Sequence, residues 1–175
     1  DDVITGGAGG DTLTGGAGVN TFVFEDGDGV DPDSLTDASG GTGALADFST
    51  GGVDVITDFK SEGNGSGTAP DLDIIDFNGT AFEGTAANFD KLGTVDLSSG
   101  WGSATLTESG DTDFEDFFVL TGSWDGSQFE VGAGTDSSDT SFLMFEYDGD
   151  VSGSVDLTAE GSLENSVILE YNAVA

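Results

Sequence analysis

The stretch GGAGGDTLTGGAGVNTF, residues 6–22, writes nearly the same nine residues twice, and its spacing decides how the rest of the chain is read. Gly6-Gly7 recurs as Gly15-Gly16, and Gly9 as Gly18. With one more unit toward the start, the acid or amide falls at Asp2, Asp11 and Asn20, and a large apolar residue at Ile4, Leu13 and Phe22. Flexible linkers are also rich in glycine and polar residues. A linker, however, has no physical reason to keep three residue classes in register. The unit reads G-G-x-G-x-D-x-U-x, with U large and apolar: six residues for a turn, then a short strand whose middle side chain points inward. Glycines admit backbone conformations that a Cβ blocks, so carbonyls can converge in a tight loop. Two units complete one coil, so loops two units apart stack. A cation between them meets carbonyl and carboxylate oxygens from both, a hard-oxygen environment suited to Ca2+. A nonapeptide of this form marks a calcium-binding parallel β-helix.

Composition points the same way. The 175 residues are enough for one large domain or two small ones. Against 35 acidic residues stand only Lys60 and Lys91, for a net charge of -33. Nucleic acid and anionic membrane surfaces are poor partners for such a chain, because both are held through Lys and Arg. Self-repulsion on this scale opposes compaction unless cations are present. They can bind at specific sites or act diffusely on a surface adapted to salt, and the repeat favours specific sites. There is no Cys, hence no disulfide and no thiolate site, and no His, which removes Ser-His-Asp triads and the usual zinc clusters. No apolar run approaches the length of a membrane span. Because the chain opens inside a repeat, it is expected to be the C-terminal piece of a longer protein.

Along the chain, residues 32–50 are small and polar and read as a surface insertion. GGVDVITDF, residues 51–59, then resumes the earlier pattern, and after a Gly/Ser-rich spacer DLDIIDF, residues 71–77, repeats it. From about residue 80, short β-prone runs alternate with turn signals: KLGTVDLSS, SATLTES, DFFVLTGSW, SQFEVG, SFLMFEYDGD, VSGSVDLTA and NSVILEYNAVA. Only AANFDKL, residues 86–92, suggests a helical turn. The expected fold is all-β: a short parallel β-roll over residues 1–60, with a loop insertion at 32–50, followed by a β-sandwich-like domain over 61–175. Phe114, Phe117, Phe118 and Trp124 read as aromatic core of that second part rather than as an exposed binding patch. Glu115/Asp116 and Asp148/Asp150 are carboxylate pairs with no His, Arg or Lys beside them, so the chain is not expected to be an enzyme.

On these residues the sequence resembles the RTX family, the glycine-rich (hemolysin-type) nonapeptide proteins exported by type I secretion. The resemblance covers residues 1–31 and 51–77. In the family the last repeats run into an aromatic strand, here TFVF, followed by segments that DVITDF and DIIDF match in order. SFLMFEYDGDVSGSVDLTA is similar, less closely, to the family's terminal strand-and-turn segment. The resemblance implies that Asp2 and Asp11 are ligand aspartates, with the carbonyls of Gly6, Ala8, Gly15 and Ala17 as co-ligands. Asn20 departs from the pattern; its amide oxygen can coordinate but carries no charge, so a weaker site is expected. Stacking should pair the Asp2 loop with residues 15–20. The 6–11 loop should pair with the segment that follows, where Asp26, Asp28 or Asp31 offers oxygen. Asp54 and Asp58 match the family's closing acids, with Asp73 and Asp76 as lesser candidates.

The function so implied is a calcium-triggered folding switch. The chain stays expanded during export and folds outside the cell, where Ca2+ neutralises charge and joins turns; the export signal is expected in the last several dozen residues. The implied partners are calcium ions and the type I secretion machinery, with cell-surface glycan or self-assembly also open. The expected parent is a surface-layer protein or adhesin. The alternative is an exported protease or lipase whose catalytic domain lies upstream, and a third reading is an acidic, salt-adapted binding domain.

Overall fold

In the computed structural model, the structure describes residues 1–25, 28, 36–37, 45–47, 53–61, 71–77, 79–89, 91–97, 104–108, 117–124, 126, 128–131, 141–147, 153–157 and 164–170. Among these the protein is all-β apart from one helical turn. The strands are β1 (Val3–Thr5), β2 (Thr12–Leu13), β3 (Thr21–Phe24), β4 (Thr36–Asp37), β5 (Leu45–Asp47), β6 (Asp54–Ile56), β7 (Ile74–Phe77) and β8 (Thr80–Glu83). After α1 (Ala86–Phe89) come β9 (Gly93–Asp96), β10 (Ala104–Thr107), β11 (Phe117–Trp124), β12 (Gln128–Val131), β13 (Ser141–Glu146), β14 (Ser154–Val155) and β15 (Glu164–Glu170). They form a four-stranded sheet, β1-β3-β7-β8, and a larger one whose main path is β14-β10-β9-β11-β13-β15-β6-β2. Both sheets mix parallel and antiparallel pairs.

The nine-residue spacing is expressed directly in the pairing. Strands β1, β2, β3, β6 and β7 alternate between the two sheets, and each pairs in parallel with the strand two steps along. Val3 lies opposite Thr21 in β1–β3, Thr12 opposite Val55 in β2–β6, and Thr21 opposite Ile74 in β3–β7. Parallel neighbours need a long crossover between them, and here the crossover of each pair is a rung of the opposite sheet. The apolar member of every unit points inward. Phe22, Ile56 and Ile75 are fully buried, Leu13 nearly so, and Ile4 packs against the same cluster.

The insertion between the third and fourth rungs carries β4 and β5, and β5 pairs with β12. Pairing also runs across residue 60: β7 is a rung, and β15 lies in parallel against β6, with Val167 opposite Asp54. The middle of the larger sheet, at β11, β13 and β15, is buried on both faces, as a two-period strand pattern allows. Phe118, Leu120, Leu143, Phe145 and Ile168 face one core, while Phe117, Met144, Val167 and Leu169 face the other, which they share with β2, β3, β6 and β7. Phe77 stacks on Phe117 at 5.4 Å between centroids, joining the smaller sheet to the larger. The aromatic residues around 117 are therefore core, with Trp124 packed at its margin; Phe114 lies outside the described residues.

Candidate metal centre

Each turn of the repeat is closed by one recurring hydrogen bond. The acid or amide of a later rung accepts the backbone N–H of its counterpart two rungs earlier. Asp2 N–H donates to Asn20 Oδ1 (3.1 Å), Asp11 N–H to Asp54 Oδ1 (2.7 Å), and Asn20 N–H to Asp73 Oδ1 (2.8 Å). The sixth-position side chains thus form two columns, Asp2–Asn20–Asp73 and Asp11–Asp54. The first glycine of each unit makes room for them. A Cβ on Gly6 would lie 3.0 Å from Asp11 Oδ2, and one on Gly15 would lie 2.6 Å from Asn20 Nδ2.

In the Asp11–Asp54 column, Asp54 is 1 % exposed, and its Oδ2 has no hydrogen-bond partner. A buried carboxylate oxygen left unpaired is costly. Burial raises its pKa from 3.8 to about 7, and the negative charges of Asp11 and Asp28 push in the same direction, against the Asp11 N–H bond that lowers it. The group must therefore hold a proton or a cation. Ca2+ meets this requirement, because it takes carboxylate and carbonyl oxygens together. The residues that would hold it here are Asp54, through the unpaired oxygen, and Asp11. The ion would supply charge neutralisation and a link between two rungs.

The Asp2–Asn20–Asp73 column is built differently. Asn20 is fully buried and turns its oxygen to the Asp2 N–H. Its amide nitrogen donates to Asp73 Oδ1 at 3.1 Å and to the Gly18 carbonyl at 3.4 Å. The orientation is fixed chemically, since a carboxylate can only accept and a backbone N–H can only donate. Asn20 therefore presents a donor to the gap above it, where a coordinating oxygen was expected. Asp73, also fully buried, accepts in addition the Lys60 backbone N–H at 2.9 Å. The Lys60 ammonium donates to the carbonyls of Gly16 (2.5 Å) and Gly18 (2.8 Å) and lies 3.6 Å from Asp73 Oδ1.

The remaining candidates sort by their partners. In the 15–20 loop the carbonyls that converge belong to Gly16 and Gly18, one residue later than Gly15 and Ala17. Gly16 and Gly18 have φ of 73° and 95°, and Gly7 and Gly9 repeat this left-handed pair at 82° and 110°. The loop of Gly6 and Ala8 is thus built like that of Gly15 and Ala17. Asp58 accepts the N–H groups of Gly15 (2.8 Å) and Gly16 (2.7 Å), so both of its oxygens anchor a loop. At the end of the 6–11 loop Asp11 pairs with Asp54, and the charge of Asp28, in the segment after Phe24, also acts on Asp54. Asp28 closes a local turn by accepting Glu25 N–H at 3.1 Å, and Asp26 and Asp31 lie outside the described residues. Asp2 is exposed at the end of its column, and Asp76 accepts Gly79 N–H at 2.8 Å in a turn. Sequence reasoning missed Lys60 altogether, although it is one of two basic residues in a chain of charge -33. Among the described residues no three acidic side chains converge on one point. A scan against protein-family models and searches of curated proteins and of solved structures gave no match.

Proposed function

We propose that this chain is a calcium-binding RTX module whose rungs form a short parallel β-roll that folds when Ca2+ arrives. It serves as the C-terminal folding and secretion module of a bacterial surface-layer protein or adhesin, exported by a type I system and acting outside the cell. The observation that carries the reading is the unpaired, buried Oδ2 of Asp54, set beside Asp11 between two stacked rungs. Binding requires the stacked rungs, so the binding free energy becomes folding free energy. Extracellular modules of this kind bind at about 10^-4 to 10^-3 M, a range in which an exported chain finds its ion only after leaving the cell.

The test is a titration followed by far-ultraviolet circular dichroism. Millimolar Ca2+ should induce β signal where NaCl of equal ionic strength does not, and Asp54→Asn should weaken that calcium-specific response. Equal responses to the two salts would remove specific sites and leave a surface adapted to salt.

A further inference from the structure

The geometry points to Lys60 as a tethered cation that takes the place of a divalent ion between the 15–20 loop and Asp73, and so sets how many ions the coil binds. This rests on reading the stacked loops as cation sites. The ammonium contacts are those of a bound ion: two backbone carbonyls of one loop, Gly16 and Gly18, and a carboxylate from the rung stacked above it. A surface lysine ordinarily keeps its charge in water, whereas the Lys60 side chain is 24 % exposed and its partner carboxylate is fully buried. The backbone holds the pair in place as well. Lys60 N–H donates to Asp73 Oδ2 at 2.9 Å, and Asp73 N–H donates to the Lys60 carbonyl at 3.0 Å. The stem of the side chain therefore starts next to the site it fills.

The amide at position 20 fits the same arrangement. With Asp73 already facing an ammonium, a second carboxylate would not be neutralised by a single positive charge. Asn20 instead adds donors toward Asp73 and Gly18. The Asp11–Asp54 pair has two carboxylates, an unpaired oxygen and no lysine contact among the described residues. The repeat thus contains one gap suited to a metal ion and one already closed by the chain itself.

The experiment counts ions. Calcium bound by the wild-type chain and by Lys60→Ala is measured by isothermal calorimetry and equilibrium dialysis, with circular dichroism confirming the fold at saturating calcium. Lys60→Ala should bind one more Ca2+ than wild type, and adding Asp73→Asn should abolish the extra ion. An unchanged count in folded Lys60→Ala overturns the proposal. A second measurement needs no variant: the Lys60 side-chain 15N resonance of the calcium-saturated wild type should not move as Ca2+ is raised tenfold further. A shift that saturates with another equivalent of calcium means that metal displaces the ammonium, and it also overturns the proposal. If the wild type binds no calcium while Lys60→Ala binds one ion, the Asp11–Asp54 reading fails and the role of Lys60 stands.

Discussion

In one column Asp54 accepts the Asp11 N–H and feels the Asp11 charge, with one carboxylate oxygen left unpaired. In the other, Asp73 meets Asn20 and Lys60, and its oxygens are met by N–H donors. Both columns share one backbone device, the acceptance of an earlier rung's N–H by a later rung's side chain. They differ only in what balances the charge left over. A repeat can therefore keep its main-chain geometry while changing its dependence on ions through two side chains, one at the sixth position and one from the adjoining turn.

The largest expected effect tests whether the first column governs the whole molecule. Chelating the calcium-loaded protein at pH 8 should collapse the β signal in one cooperative step, because Leu13, Ile56, Val167 and Leu169 share a single core across the coil and the larger sheet. Retention of shape and melting temperature after chelation would show that both columns are self-sufficient.

Acid provides the next test. Burial pushes the carboxyl of Asp54 up from its ordinary 3.8 to about 7 in the folded chain. Between those values the metal-free folded state holds a proton that the unfolded chain has released, so stability rises as pH falls from about 7 to 4 and is lost as pH climbs back. Metal-free protein should gain roughly 2–4 kcal/mol between pH 8 and pH 4.5, read from thermal or urea unfolding in chelator. Asp54→Asn should flatten that gain and show its benefit mainly at pH 8.

A pair of substitutions then separates the columns. Asp54→Asn should lower the number of bound calcium ions by one. Asp73→Ala should leave that number unchanged while destabilising the folded state by roughly 2–4 kcal/mol, since buried donors from Asn20 and Lys60 lose their acceptor. Calorimetric ion counts beside urea midpoints make the comparison, and identical behaviour of the two variants would erase the distinction. The smallest effect lies on the exposed outside, where the Thr14 and Thr57 hydroxyls meet at 2.8 Å. Thr14→Ala should cost less than about 1 kcal/mol at any calcium level.

The parts legible in the sequence were those governed by local period. A spacing of nine placed Ile4, Leu13 and Phe22 against one core, and doubling it matches the Val3–Thr21 pairing. The match of DVITDF and DIIDF to the repeat was enough to suggest further rungs. Their partners were not legible, because Asp11 pairs with a residue 43 positions along and Asn20 with one 53 along. An insertion changes sequence distance without changing spatial order, and no periodicity records that. No glycine pair precedes Asp73 in the sequence, yet its carboxylate holds the same place as that of Asp54. The direction of the Asn20 amide followed from the donors and acceptors around it, which exist only once the rungs have stacked. The position of the Lys60 ammonium depends on the same stacking.

The place of β15 beside β6 has a consequence for timing. Val167, fully buried, lies opposite Asp54 and helps to shut water away from that carboxylate. In any order of folding, that side of β6 stays open to water until residues 164–170 have paired with it. The wall beside Asp54 is supplied by a strand far along the chain, so sealing in the carboxylate waits on a long-range contact rather than on the repeat alone.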